Sequence, residues 1–386
     1  MSQDTARLLR SLYVTIFLIS TSFGAVTFLL PVFAKELGAS YVALGVIGAV
    51  GSATYTVMTL VSGALLDRFN RVRLYLASSI FGTIVVLLFS AVTRVNDLMM
   101  VRGMMGVVSA AFWVTASTLV ADTSPPEALT RSIGRYNISW IAGFTAGPFI
   151  GGLISDLLGF PIFFLILAAL IAVGVVVIWT ELPAKMGSGD GAVRRGFDLS
   201  ALKGLYTSYL TILPYSLILG IYMAILPGQM RVLGITSSII GFLLTMTNGV
   251  RGLTFFHVER FVGWGERRSL CLASWLMSAA LFAVAFSRDM PSFLAPLVMF
   301  GLAGGIITPL IQNSIARRSP RHALGTVMGV HESIYGIGMC VGPLLGGAIA
   351  EAFRPVTLYL SLALLSLVIL PLSRGFGVEA QQGPTG

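Results

Sequence analysis

Apolar residues along this chain gather into twelve long blocks, at about 11–34, 41–66, 72–92, 98–121, 131–155, 160–180, 204–231, 236–257, 269–287, 291–315, 323–351 and 355–373. Each is close to the ~20 residues that an α-helix needs to cross hydrocarbon. The blocks predict an all-α integral membrane protein with twelve transmembrane helices. The longest connection falls between blocks six and seven. Its Lys185-Met-Gly-Ser-Gly-Asp-Gly-Ala-Val-Arg194-Arg195-Gly is polar, glycine-rich and basic, the composition of a linker. The expected organisation is a six-helix half at 1–181, a linker at 182–203, a second six-helix half at 204–374 and a disordered tail at 375–386.

The halves repeat one another. Gly143-Phe-Thr-Ala-Gly147-Pro148-Phe-Ile-Gly151-Gly152 returns 195 residues later as Gly338-Met-Cys-Val-Gly342-Pro343-Leu-Leu-Gly346-Gly347. In the same register Ala121, Ser124, Pro125, Gly134 and Ile154 meet their own residue types at Ala316, Ser319, Pro320, Gly329 and Ile349. Upstream, Leu30-Pro31 with Leu37-Gly38 returns as Leu226-Pro227 with Leu233-Gly234 at an offset of 196. Two pseudo-symmetric halves around a path is the architecture of many secondary transporters.

Composition agrees with a membrane chain. Of 386 residues, 56% are hydrophobic and 11% charged, against roughly 25% charged in soluble domains. The net charge of +9 does not imply a nucleic-acid partner, because the basic residues sit in short loops between apolar blocks. With both termini cytoplasmic, 18 Lys and Arg fall on the inner side and 5 on the outer, so the distribution orients the chain. Cys271 and Cys340 both lie in apolar blocks, and no Cys/His spacing suits a metal. No cofactor is expected. No nucleophile–base pair or phosphate loop suggests an enzyme.

The segment Gly63-Ala-Leu-Leu-Asp67-Arg68-Phe-Asn-Arg71-Val-Arg73 joins blocks two and three. It resembles the loop signature of the major facilitator superfamily, Gly-x-x-x-Asp-Arg-x-Gly-Arg-Arg. Asn70 replaces the glycine, at a position where Asn would tolerate a left-handed backbone, and Val72 interrupts the basic pair. The resemblance implies a cytoplasmic gate at Gly63, Asp67, Arg68, Arg71 and Arg73, with Asp122 joining through Arg71 or Arg131; a charge cluster that fixes topology is the plainer alternative. The second-half counterpart, Glu259 to Arg268, keeps acid, glycine and paired arginines at shifted spacing.

The fifth-span decapeptide resembles the family's antiporter motif. Glycines four apart let another helix approach closely, and Pro148 permits a bend. Its return in span eleven also suits a packing device without directional meaning. Arg102-Gly-Met-Met-Gly106 resembles a fourth-span signature linked in the drug/proton antiporters to proton coupling.

Arg102 and Arg251 have no charged counterparts; their register mates are Leu297 and Thr56. Intramembrane ionisable groups usually face a cavity or a partner, although Arg102 could instead snorkel. Glu332 is the acid well inside a span. A desolvated carboxylate there is a candidate proton carrier with His331 as modulator, or a structural group held by Ser/Thr or Arg251. The repeat aligns Tyr136, Asn137 and Trp140 with His331, Glu332 and Tyr335. With Asn248, Gln229, Gln312 and Asn313, these form a candidate substrate cavity or a set of interhelical hydrogen bonds.

The resemblance therefore implies a major facilitator fold of the 12-span drug/proton antiporter kind. The expected activity is proton-coupled export of a small amphipathic organic solute by a monomer in the plasma membrane. Its partners would be that solute, protons and the lipid bilayer. Uptake of a metabolite or sugar, and lipid translocation, are the alternatives.

Overall fold

The structure is a computed structural model in which residues 3–66, 68–183, 202, 204–320 and 323–378 are described. Helices follow in the order α1 Gln3–Glu36, α2 Tyr41–Leu66, α3 Arg71–Phe89, α4 Val95–Thr123, α5 Leu129–Glu181, α6 Tyr206–Ala224, α7 Leu226–Val232 and α8 Ser237–Phe256. They continue as α9 Val258–Trp264, α10 Glu266–Phe286, α11 Met290–Arg318, α12 Leu324–Phe353, α13 Pro355–Ser366, α14 Ile369–Leu372 and α15 Gly375–Val378.

Among the described residues, eleven helical segments are long and apolar enough to cross a membrane. One of them has length enough for two crossings: α5 holds 53 residues and breaks at Gly159, where φ is 81° and ψ 163°. The count expected from the sequence is thus recovered. Span seven is interrupted differently. Pro227 lacks an N–H, so the chain leaves α6 at Ile225 and restarts as α7.

The chain forms two compact units. The first holds Met1–Ala39, Val50–Arg194 and Thr236–Thr245; the second holds Ser40–Ala49, Arg195–Ile235 and Met246–Gly386. The expected division at the linker is modified by an exchange: the opening of α2 belongs to the second unit and the opening of α8 to the first.

Glycine explains both the core and the exchange. In the first unit a Cβ on Gly143 would meet the Phe17 carbonyl at 2.7 Å, and one on Gly147 would strike the Thr21 carbonyl of α1. In the second unit Gly338 and Gly342 meet Ser216 and Leu217 of α6 in the same way. Gly151 and Gly346 continue these faces, against Leu29 and Ile221. The last glycine of each motif looks elsewhere: Gly152 lies on the Ser237 carbonyl of α8, and Gly347 on the Tyr41 carbonyl of α2. Each decapeptide therefore holds a core helix on one face and the exchanged helix end on the other.

Two carboxylates complete those contacts. Asp156 accepts from the Ser237 and Ser238 amides at 3.0 and 2.7 Å, capping α8. Its register mate Glu351 accepts from the Tyr41 amide at 2.7 Å, at the start of α2. Around Pro148, Thr245 inserts into the helix ladder. Its Oγ1 accepts from the Phe149 amide at 3.2 Å and donates to the Thr145 carbonyl at 2.6 Å.

Backbone demands account for the other echoes. Gly38 and Gly234 have φ of 83° and 82° and close matching turns after α1 and α7. Ser124 and Ser319 each donate to the carbonyl four residues back at 2.6 Å, ending α4 and α11. Two expectations are corrected. Asn70 does not use a left-handed backbone; at φ −63° and ψ 124° it caps α3, accepting from the Arg73 amide. Residues 375–378, expected within a disordered tail, form α15, and Phe376 is buried beneath Arg318. Asp67, most of the linker and Glu379–Gly386 lie outside the described residues.

Candidate functional site

At the loop ends of α3 and α4, Arg71 forms an ion pair with Asp122. This realises one of the two partners expected for Asp122. Arg68 and Arg73 are exposed, and Gly63 has open space about it. In the second unit Glu266 pairs with Arg318 at 3.2 Å and Arg317 at 4.0 Å, and accepts from Ser314 Oγ at 3.1 Å. Glu266 and Arg317 are the register mates of Arg71 and Asp122, so the repeat preserves the pair and exchanges its signs.

Higher in the first unit, Arg102 lies against Gly51 of α2, where a Cβ would come within 2.8 Å of the guanidinium carbon. A side chain at residue 51 would expel the arginine. No carboxylate lies within ion-pair distance of Arg102 among the described residues. On α5, Trp140 Nε1 donates to Asn137 Oδ1 at 3.1 Å, as their i, i+3 spacing allows. Trp140 also joins Trp113 and Phe144 in an aromatic cluster with centroids 6.0–6.2 Å apart. Next to it, Tyr75 stacks on Phe112 and shares a hydrogen bond of 3.0 Å with Thr15. Tyr136 lies on the same face of α5, near Tyr55. Trp113, Tyr75 and Phe144 escape a sequence reading because aromatic residues in apolar spans are ordinarily packing.

The second unit holds a different set. Arg251 of α8 lies near Tyr335 of α12 and near Tyr215 and Tyr222 of α6. Tyr222 stacks on Phe300 at 4.5 Å. The Tyr215 hydroxyl and Asn248 Nδ2 are buried without a hydrogen-bond partner among the described residues. Gln229 Oε1 on α7 and Asn313 Oδ1 on α11 share that condition, while Gln312 is half-buried. Buried polar atoms are normally paired, so these helices carry unused hydrogen-bonding capacity. Tyr215 and Tyr222 went unnoticed in the sequence, lacking any counterpart that stands out in the repeat.

His331 is fully buried and stacks near Tyr335, with ring centroids 6.4 Å apart. Its Nδ1 lies 3.2 Å from Glu332 Oε1. The Glu332 side chain is 61% exposed and is therefore not enclosed by protein. One residue is a turn of about 100° on a helix. His331 therefore faces the packed side of α12 while Glu332 faces its open side. Glu332 pairs with His331 and not with Arg251.

Known proteins share this architecture. The family model described as Major Facilitator Superfamily matches residues 12–213 and 208–376. The chain is 23% identical over 367 residues to an uncharacterized MFS-type transporter of Methanocaldococcus jannaschii, covering 93% of this chain and 95% of that protein. It is 26% identical over 361 residues to the multidrug resistance protein MdtG of Escherichia coli, covering 89% and 88%. Among solved structures, a variant of the nucleoside transporter NupG superposes with a TM-score of 0.83 at 14% identity, over 96% of this chain and 100% of that one, and attests the fold. With one family model matched to each half of the duplication, the chain belongs to the Major Facilitator Superfamily and is a multi-pass membrane transporter, not an enzyme.

Proposed function

We propose that this transporter exports a small amphipathic organic solute in exchange for protons, by alternating access. The observation that carries the reading is the His331–Glu332 pair. A fully buried imidazole backs a carboxylate that opens away from the packed side of a membrane helix. A proton arriving at Glu332 finds a neighbouring base at 3.2 Å, and its charge change alters the fit of α12. Relatives named multidrug resistance protein support export. On this reading the termini are cytoplasmic in the plasma membrane and the protein acts as a monomer. The loop Gly63–Arg73, with Asp67 as its acid and Asp122 behind Arg71, gates the cytoplasmic side. Arg102 modulates coupling from the first half.

The test uses proteoliposomes with an acidic lumen and fluorescent amphipathic solutes of positive, neutral and negative charge. Wild type accumulates at least one of them against its gradient. Glu332→Gln loses accumulation but keeps exchange without a pH gradient. Equal accumulation by both proteins removes Glu332 from coupling. Flux that ignores the pH gradient refutes proton exchange.

A further inference from the structure

Arg251 is a half-buried arginine inside an apolar helix. A charge so placed is costly unless an opposite charge or a ligand meets it. A purely structural arginine would be expected to bring a carboxylate within about 4 Å. No such carboxylate exists among the described residues. Glu332, three residues before Tyr335 on α12, pairs with His331 instead. Tyr335, its neighbour on α12, offers a phenol rather than a carboxylate.

The groups around Arg251 are biased toward donation. Asn248 lies one turn earlier on the same face of α8, and its buried Nδ2 is without a partner among the described residues. The Tyr215 hydroxyl, also buried and unpartnered, adds a further donor. A guanidinium fork flanked by amide and phenol donors matches the geometry of an oxyanion and repels a cation. The repeat supplies a second argument. Thr56 stands at the register position of Arg251, so the arginine is not inherited from the packing of the duplicated unit.

We propose that Arg251, with Tyr335, Tyr215 and Asn248, forms an oxyanion-recognition subsite, and that the transported solute is an organic acid with an apolar body. This rests on the reading of the protein as a carrier of small organic solutes and names their class. Arg251 clamps the acid group; Tyr335 holds the guanidinium in position from α12.

The test measures binding to purified protein in nanodiscs. The probes are matched carboxylates, amides and ammonium compounds built on naphthyl, biphenyl and decyl bodies. Wild type should favour at least one carboxylate over its matched amide by about ten-fold or more, the scale of one charge-assisted hydrogen bond. Arg251→Gln should erase that preference, bringing the affinities for carboxylate and matched amide to within about two-fold of each other. Arg251→Lys, which keeps charge without the fork, should retain part of it, and Tyr335→Phe should reduce it several-fold. The Lys and Phe variants decide the matter if the Gln variant is not monodisperse. Unchanged preference in all variants, preference for ammonium, or absence of carboxylate binding over the whole panel overturns the proposal. Anionic phospholipid in the disc separates a headgroup from a soluble acid: competition by lipid at Arg251 overturns the assignment to a solute. Proton-driven flux of neutral or cationic members without acid preference would overturn the subsite and leave export standing. Selective acid binding without gradient-driven flux would support the subsite and refute proton-coupled export.

Discussion

Arg71 at the first turn of α3 pairs with Asp122 at the last turn of α4, and 195 residues later Glu266 holds Arg318 and Arg317 with the signs reversed. Both pairs pin the same two helix ends, so the joint is kept and its polarity is free. Glu266 is the more enclosed acid, with a side chain 13% exposed against 31% for Asp122.

Glu266→Gln should therefore cost about 2 kcal/mol and Asp122→Asn about 1 kcal/mol, between the values for exposed and buried pairs. The double exchange Arg71→Asp with Asp122→Arg should recover most of the loss of either single change. Thermal unfolding of the purified protein in detergent checks the order. Equal effects at both acids would show that enclosure does not set the strength.

The glycine faces give a prediction with its own control. Gly147→Ala and Gly342→Ala push a methyl into a backbone carbonyl and should each cost about 1–3 kcal/mol. Gly134 and Gly329, helical register mates with open space around them, should accept alanine with a gain of about 0.5–1 kcal/mol. Melting temperatures of the four variants separate packing from helix propensity.

Asp156 caps α8 through two amides and Glu351 meets α2 through one. Asp156→Ala should cost about 1–2 kcal/mol, and Glu351→Ala about half as much. Amide hydrogen exchange at Ser237, Ser238 and Tyr41 reads each cap directly; protection unchanged at Ser238 in Asp156→Ala would refute the assignment.

Thr245 offers the same kind of test at Pro148. Thr245→Val leaves the Phe149 amide and Thr145 carbonyl without their bridging hydroxyl and should cost about 1–3 kcal/mol, with Thr245→Ser close to wild type. Equal melting of the Val and Ser variants would mean that the hydroxyl bridge contributes nothing.

The twelve spans, the duplication and the packing role of the decapeptides were legible because hydrophobic length and glycine spacing are direct imprints of bilayer thickness and backbone contact. Asp122 meets Arg71, one of the two partners expected of it, and His331 lies against Glu332. The carboxylate caps were not legible: Asp156 and Glu351 lie beyond the repeated motifs, and their targets are backbone amides distant in sequence. Nor were Tyr215 and Trp113, since an aromatic ring in an apolar span looks the same whether it packs or lines a site. The openness of Glu332 depended on which side of α12 its neighbours cover, a matter of tertiary packing alone.

Gly159 and Arg354 are register mates, and both hold a backbone of positive φ, 81° and 80°. An arginine there strains against a conformation suited to glycine, so Arg354→Gly should raise the melting temperature by relieving about 1–2 kcal/mol; a lower one would show the side chain contributing more than the strain removes. The pair also carries a record of descent. After duplication the two copies drifted in their side chains while the path of the main chain stayed, even where one copy lost the residue that path prefers. Inheritance of that kind divides the molecule: where the copies still agree lies the ancestral scaffold, and where they part, at Arg102, Arg251 and Glu332, lies what each half acquired for itself.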